Sequence, residues 1–133
     1  MLWLAAGCGG PGSMNESTQN VKHITAAEFD PEVVQAVAPV VVDFYATWCG
    51  PCKMLSPRID QMAGAFTNRV KFVKINFDQA SSLAQRFSVE AVPTLLLFRE
   101  GKVVDTLIGV PDPEILKSHL DLLARAPSEV GGK

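Results

Sequence analysis

From residue 21 onward the chain alternates between two hydrophobic periods. Val21-Lys22-His23-Ile24 alternates apolar and polar, the signature of a short edge strand. Thr25 is placed to cap a helix, with Glu28 three residues on as its capping-box partner. That helix is expected to run through Val33, Val34 and Val37 and to end before Pro39. Val40–Tyr45 is apolar apart from Asp43 and reads as a buried central strand. Pro51 suits the first turn of the next helix. Its apolar positions, Met54, Leu55, Ile59, Met62, Ala63 and Phe66, fall at helical spacing, and Pro57 inside it predicts a kink. Val70–Phe77 alternates into a third strand. Ser81–Phe87 predicts a short helix with Leu83, Ala84 and Phe87 on one face, and Thr94–Phe98 a strongly apolar fourth strand. Glu100-Gly101-Lys102 forms a tight turn into a fifth strand, Val103–Ile108. Asp112–Arg125 closes the series as a helix carrying Ile115, Leu116, Leu120 and Leu123.

The order β-α-β-α-β-α-β-β-α predicts an α/β fold, a mixed five-stranded sheet flanked by four helices. Strands joined through helices should be mainly parallel, and the last two, joined by a tight turn, an antiparallel hairpin. Residues 21–126 form the expected domain, between a tail at 1–20 and a second at 127–133. No internal repeat is visible. Apolar residues make up 47% of the 133 and charged residues 20%, enough for a packed core and too apolar for global disorder. A net charge of −2 leaves no basic stripe for nucleic acid. No apolar run approaches the roughly 18 residues of a membrane span.

The first twenty residues do not follow either period. Met1–Ala6 is a short apolar stretch, Gly7–Ser13 is rich in Gly and Pro, and Asn15–Asn20 is polar. Leu4-Ala5-Ala6-Gly7-Cys8 resembles the end of a bacterial lipoprotein signal, in which the cysteine is lipidated. No basic residue precedes it, however, and the apolar part is shorter than a signal core of ~7–15 residues. A truncated signal, an over-extended start with Met14 as the true beginning, and a cloning remnant are the competing readings. The preferred one is a non-structural tail. The expected location is then cytoplasmic, with a periplasmic or Cys8-anchored protein as the alternative.

Chemistry concentrates at Trp48-Cys49-Gly50-Pro51-Cys52, directly after the apolar strand. At a strand-to-helix junction the first sulfur meets the unpaired N–H groups and positive dipole of a helix N-terminus, which favour thiolate over thiol. Zinc would require about four ligands, and Cys8, His23 and His119 are the only further candidates, scattered along the chain. A structural staple across so small a loop removes little chain entropy. Reversible thiol–disulfide exchange is the reading that remains, with no metal.

Asp43 interrupts an apolar strand, where an unpaired carboxylate is costly. It is either a solvated edge position or a buried carboxyl of raised pKa that can pass a proton to or from the second sulfur. Lys74, on the neighbouring strand, is either an ordinary surface lysine or the charge that faces Asp43. By residue type alone, Pro93 in Val92-Pro93-Thr94 reads as a proline opening an edge strand. Trp48 fits a cover over two exposed cysteines, and a contact for partners.

VVVDFYAT, WCGPCK, VKINFD and AVPTLLLFREGK, followed by Gly109 after the last strand, together resemble the thioredoxin family. The resemblance runs from about Val21 to Ala126. It implies a thioredoxin fold whose first and third strands lie parallel to the second. It implies Cys49 as the nucleophile on a partner's disulfide and the more buried Cys52 as the resolving thiol, leaving a Cys49–Cys52 disulfide. Asp43 would be the buried acid that helps deprotonate Cys52, with Lys74 beside it. Pro93 would be a cis-proline and the Val92 backbone a docking edge for an extended client. Gly50 and Pro51 would set the loop, with the proline favouring a reducing member. Trp48 and Gly109 complete the docking surface. No cofactor would bind directly: electrons would come from NADPH through a thioredoxin reductase, the implied partner alongside disulfide-containing clients, and the protein would work as a monomer. A scaffold role with incidental redox chemistry is the alternative of another class. Tyr45 stands where many members have tryptophan, and Ser88 and Ala91 where glycine is frequent. Glu90 adds a negative charge near the docking edge, either a solvated loop charge or a bias toward basic partners.

Overall fold

A computed structural model describes residues 20–125 of the chain. The segment that contains Cys8 and the tail at 127–133 lie outside the described residues. Five strands form one sheet in the order β1-β3-β2-β4-β5. They are β1 Val21–His23, β2 Val40–Tyr45, β3 Lys71–Asn76, β4 Thr94–Arg99 and β5 Lys102–Ile108. Three α-helices accompany them: α1 Gly50–Ala65, α2 Ser81–Arg86 and α3 Pro113–Ala124. The mixed sheet and its α/β layering are those the sequence predicts. β1, β3 and β2 run parallel, and β4 and β5 pair antiparallel. β4 is also antiparallel to β2, although a helix lies between β3 and β4 in the chain.

The first of the four helical segments is not an α-helix. A 3-10 turn at Ala26–Glu28 gives way to a π turn at Asp30–Val34. The predicted cap contact is present, with the Thr25 N–H donating to Glu28 Oε1 at 2.9 Å. The cause of the break is Pro31, which has no N–H for the helical ladder and restricts Asp30 before it. The segment ends at Val34, so Val37, expected within the helix, lies beyond it and is 99% exposed. Of the apolar positions at helical spacing, Met54 and Ile115 face outward. α1 runs through Pro57 as one helix, although that residue has no N–H for its rung of the ladder.

Alternation along β2 divides the core in two. Val41 points to the side of α1 and α3, where it joins Leu55, Ile59, Leu116 and Leu120. Val40, Val42 and Phe44 point to the opposite side, against Phe29, Leu83 and Phe98. Asp43 shares the parity of Val41 and so faces α1. With both faces covered, all of β2 except Tyr45 is buried, the environment its near-continuous apolar run requires.

The end of α2 explains one departure from the family pattern. The Val89 N–H bonds to Ala84 O at 2.7 Å and the Ser88 N–H to Gln85 O at 3.2 Å. This is the paired closure of a Schellman motif, and Ser88 holds its left-handed position with φ +57°. Glycine occupies such a position without the Cβ penalty. Ser88→Gly is therefore expected to stabilise the protein by ~0.5–1 kcal/mol, a rise of a few degrees in Tm by calorimetry.

Candidate active site

The turn between β2 and α1 brings both cysteines to the first turn of the helix. Cys49 is the N-cap, and its Sγ accepts the Cys52 backbone N–H at 3.1 Å. Pro51 in the first turn gives up no hydrogen bond, because its nitrogen lies among the unpaired positions. The two cysteines form a disulfide, with their Cα atoms 5.3 Å apart. A Cβ on Gly50 would meet nothing within 4 Å, so the outer side of this loop is open.

In this oxidised state the cysteines are not exposed, and Cys52 is not the more buried of the two. Cys49 is 3% exposed and Cys52 7%. Both sulfur-bearing residues pack with Ala46 against Tyr45 and Val92, and that apolar cluster closes over the ring. Trp48 is 66% exposed, and its indole N–H donates to Asp78 Oδ2 at 2.7 Å. Asp78 is oriented in turn by its own N–H, which donates to Asn76 Oδ1 at 2.9 Å.

The Val92–Pro93 bond is cis, where residue types alone read as an ordinary strand start. Pro93 O accepts the Gly109 N–H at 2.9 Å, linking the loop before β4 to the end of β5. Gly109 sits at φ +90°, a conformation that side chains rarely adopt. Thr94 is buried and donates through Oγ1 to Ala91 O at 2.7 Å, which fixes the other side of the same loop. Val92 therefore meets the cysteine cluster from a loop anchored at both ends.

Asp43 is a buried carboxyl, 2% exposed, and its Oδ1 has no hydrogen-bond partner. Burial pushes its pKa up to about 6, opposed by the positive charge of Lys74 and reinforced by Asp60. Asp43 and Lys74 are register partners across β2 and β3. Yet the Lys74 Nζ donates to Ser56 Oγ at 3.0 Å, and no ion pair joins it to Asp43 among the described residues. It also lies 5.2 Å from the centre of the Tyr45 ring. Burial raises the pKa of Asp60, against the pull of Lys74 and His23. Burial also lowers that of His23, and Lys74 adds to the effect.

Asp78, Ser56 and Asp60 were not singled out in the sequence. Ser56 and Asp60 carry a local signal: they lie four residues apart on α1, on the side that Asp43 faces. Asp78 has none, since it lies 30 residues from the tryptophan it holds. Among the described residues no group of three or more His, Cys, Asp and Glu is placed to hold a metal ion. His119 instead contacts Asp105, and His23 packs edge-on to Tyr45.

A mixed sheet that presents a CxxC disulfide at the start of a helix beside a cis-proline defines a thiol–disulfide oxidoreductase. The thioredoxin family model matches residues 20–121. Thioredoxin 1 of Synechococcus elongatus is 41% identical over 98 residues, 74% of this chain and 92% of that protein. Thioredoxin of Haemophilus influenzae is 45% identical over 89 residues, 67% and 83% of the two chains. The chloroplastic thioredoxin M2 of Arabidopsis thaliana is 38% identical over 106 residues, 80% of this chain and 57% of that one. The chain belongs to the thioredoxin family. It carries out dithiol–disulfide exchange through Cys49 and Cys52.

Proposed function

We propose that the protein is an electron carrier that reduces disulfides in client proteins. The observation that carries this reading is the cap: Cys49 Sγ accepts a backbone N–H at a helix start, which favours a thiolate there once the disulfide opens. The Cys49 thiolate attacks one sulfur of a client disulfide, forming a mixed disulfide and releasing the client's other sulfur as a thiolate. Cys52 then loses its proton, attacks Cys49 Sγ and expels the second client sulfur. Two electrons pass to the client, and the Cys49–Cys52 disulfide forms.

Asp43 accepts the Cys52 proton in this scheme. A carboxyl raised to about 6 by burial holds a proton more readily than an exposed one and still gives it up near neutral pH. Lys74 supplies the positive charge that limits that rise. The docking surface is the Val92 and Pro93 backbone with exposed Trp48, Gly109 at its end, and Gly50 and Pro51 leaving the loop accessible. Glu90 is exposed on the same loop and favours clients with basic residues.

A thioredoxin reductase using NADPH restores the dithiol, and the protein acts as a cytoplasmic monomer. No helix among the described residues is long and apolar enough to cross a membrane. In a mixture of NADPH, thioredoxin reductase and insulin, adding the protein is expected to start NADPH consumption in step with insulin reduction. NADPH consumption no faster than without the protein overturns the reading.

A further inference from the structure

Lys74 stands opposite Asp43 in the sheet but does not bond to it. Two other groups engage its ammonium. Ser56 Oγ accepts its hydrogen bond at 3.0 Å, and the Tyr45 ring faces it at 5.2 Å. Both belong to the wall of a cavity of about 310 Å³ that Lys74, Lys53 and Cys52 also line. Asp43, in turn, has a buried oxygen with no partner. An ammonium on the neighbouring register position would ordinarily be drawn to a bare carboxylate, since such pairing in a buried site is far stronger than at the surface.

We propose that Ser56 is a positioning residue for the exchange reaction: its hydroxyl holds the Lys74 ammonium at the cavity wall beside Cys52 and away from the Asp43 carboxylate. The carboxyl thereby keeps its affinity for the proton it takes from the resolving thiol. The inference rests on the reading of Asp43 as proton acceptor. Ser56 makes no hydrogen bond to either cysteine sulfur, and its hydroxyl accepts from Lys74, so it acts through Lys74.

The charged groups around Lys74 are few. Asp43 faces it from β2, His23 from β1 and Asp60 from α1, and Lys53 shares the cavity. Removing the Ser56 hydroxyl alters none of them and releases one anchor of the ammonium. Moving a unit charge a few ångströms closer to a carboxylate lowers its titration by about one pH unit.

The test is the rate of client-disulfide reduction by the reduced protein, followed by stopped flow from pH 5 to 9. In Ser56→Ala the profile is expected to shift downward by about one pH unit. Ser56→Thr, which keeps the hydroxyl, restores the parent profile. In a Lys74→Met background, Ser56→Ala moves nothing. A profile that stays in place, moves upward, or moves equally in the Lys74→Met background overturns the proposal. Asp43→Asn separates the two levels of argument. If it removes the transition while Ser56→Ala leaves it in place, only the role of Ser56 fails. If Asp43→Asn leaves the profile unchanged, the proton-acceptor reading fails and this proposal with it.

Discussion

Cys49→Ser is expected to abolish reduction of client disulfides, with a loss of ~10³-fold or more. A serine hydroxyl remains protonated near neutral pH and is a poor nucleophile toward sulfur. Cys52→Ser should behave differently. Cys49 still attacks, but no second thiol is present to release the client, so a covalent mixed disulfide accumulates. Mass spectrometry of the variant after incubation with a disulfide client distinguishes the two. An adduct on Cys52 in the Cys49→Ser protein, at wild-type speed, would reverse the assignment of roles. The proposed order of attack rests on the cap: the Cys49 sulfur receives the backbone N–H of Cys52, which lies within the first turn of the helix.

Asp43→Asn is expected to stabilise the oxidised protein at pH 8 by ~3 kcal/mol, measured by urea unfolding. The folded protein holds the Asp43 proton up to about 6, whereas the ordinary value is 3.8. Folding therefore favours the protonated acid. The contribution of Asp43 to stability is fully present below about pH 4 and is lost as pH rises through about 6. Asparagine keeps the side chain's size and cannot ionise, so the gap between variant and wild type should open between pH 4 and pH 7. At pH 4 the two proteins should converge. A gap that is constant across this range would show that burial does not disfavour the charged carboxylate. On the proposed role of Asp43, the variant can no longer take a proton from Cys52, and its reduction rate should fall even as its stability rises.

A destabilising carboxyl inside a central strand was legible in the sequence because strand periodicity is local. Val40–Tyr45 offers a two-residue alternation, and Asp43 falls on the parity of Val41. The CxxC after it was equally legible, since a cap, a proline in the first turn and an apolar strand all lie within a dozen residues. The segment before β2 departs from the helix its spacing predicts. Its apolar spacing is helical, but the missing N–H of Pro31 turns the segment into a 3-10 and a π turn. With Trp48 read as a cover over them, the cysteines were expected at the surface. Part of their burial comes from Val92, which approaches from about forty positions further along the chain and joins the nearby Ala46 and Tyr45.

By itself, the sequence determined the strand and helix order, the parity of Asp43 and the placement of Cys49 at a helix start. Each depends on residues near one another in the chain, where period and capping chemistry act directly. The tertiary structure alone decided which groups share the site. It placed Lys74 on Ser56 rather than on Asp43, and Trp48 on Asp78. It also brought Val92 against the cysteine cluster, beside the cis bond to Pro93 that the family resemblance implies and residue types alone do not. These pairings are competitions between partners distant in sequence. Packing of α1 on the sheet and the pairing of β2, β3 and β4 decide which partners come within reach.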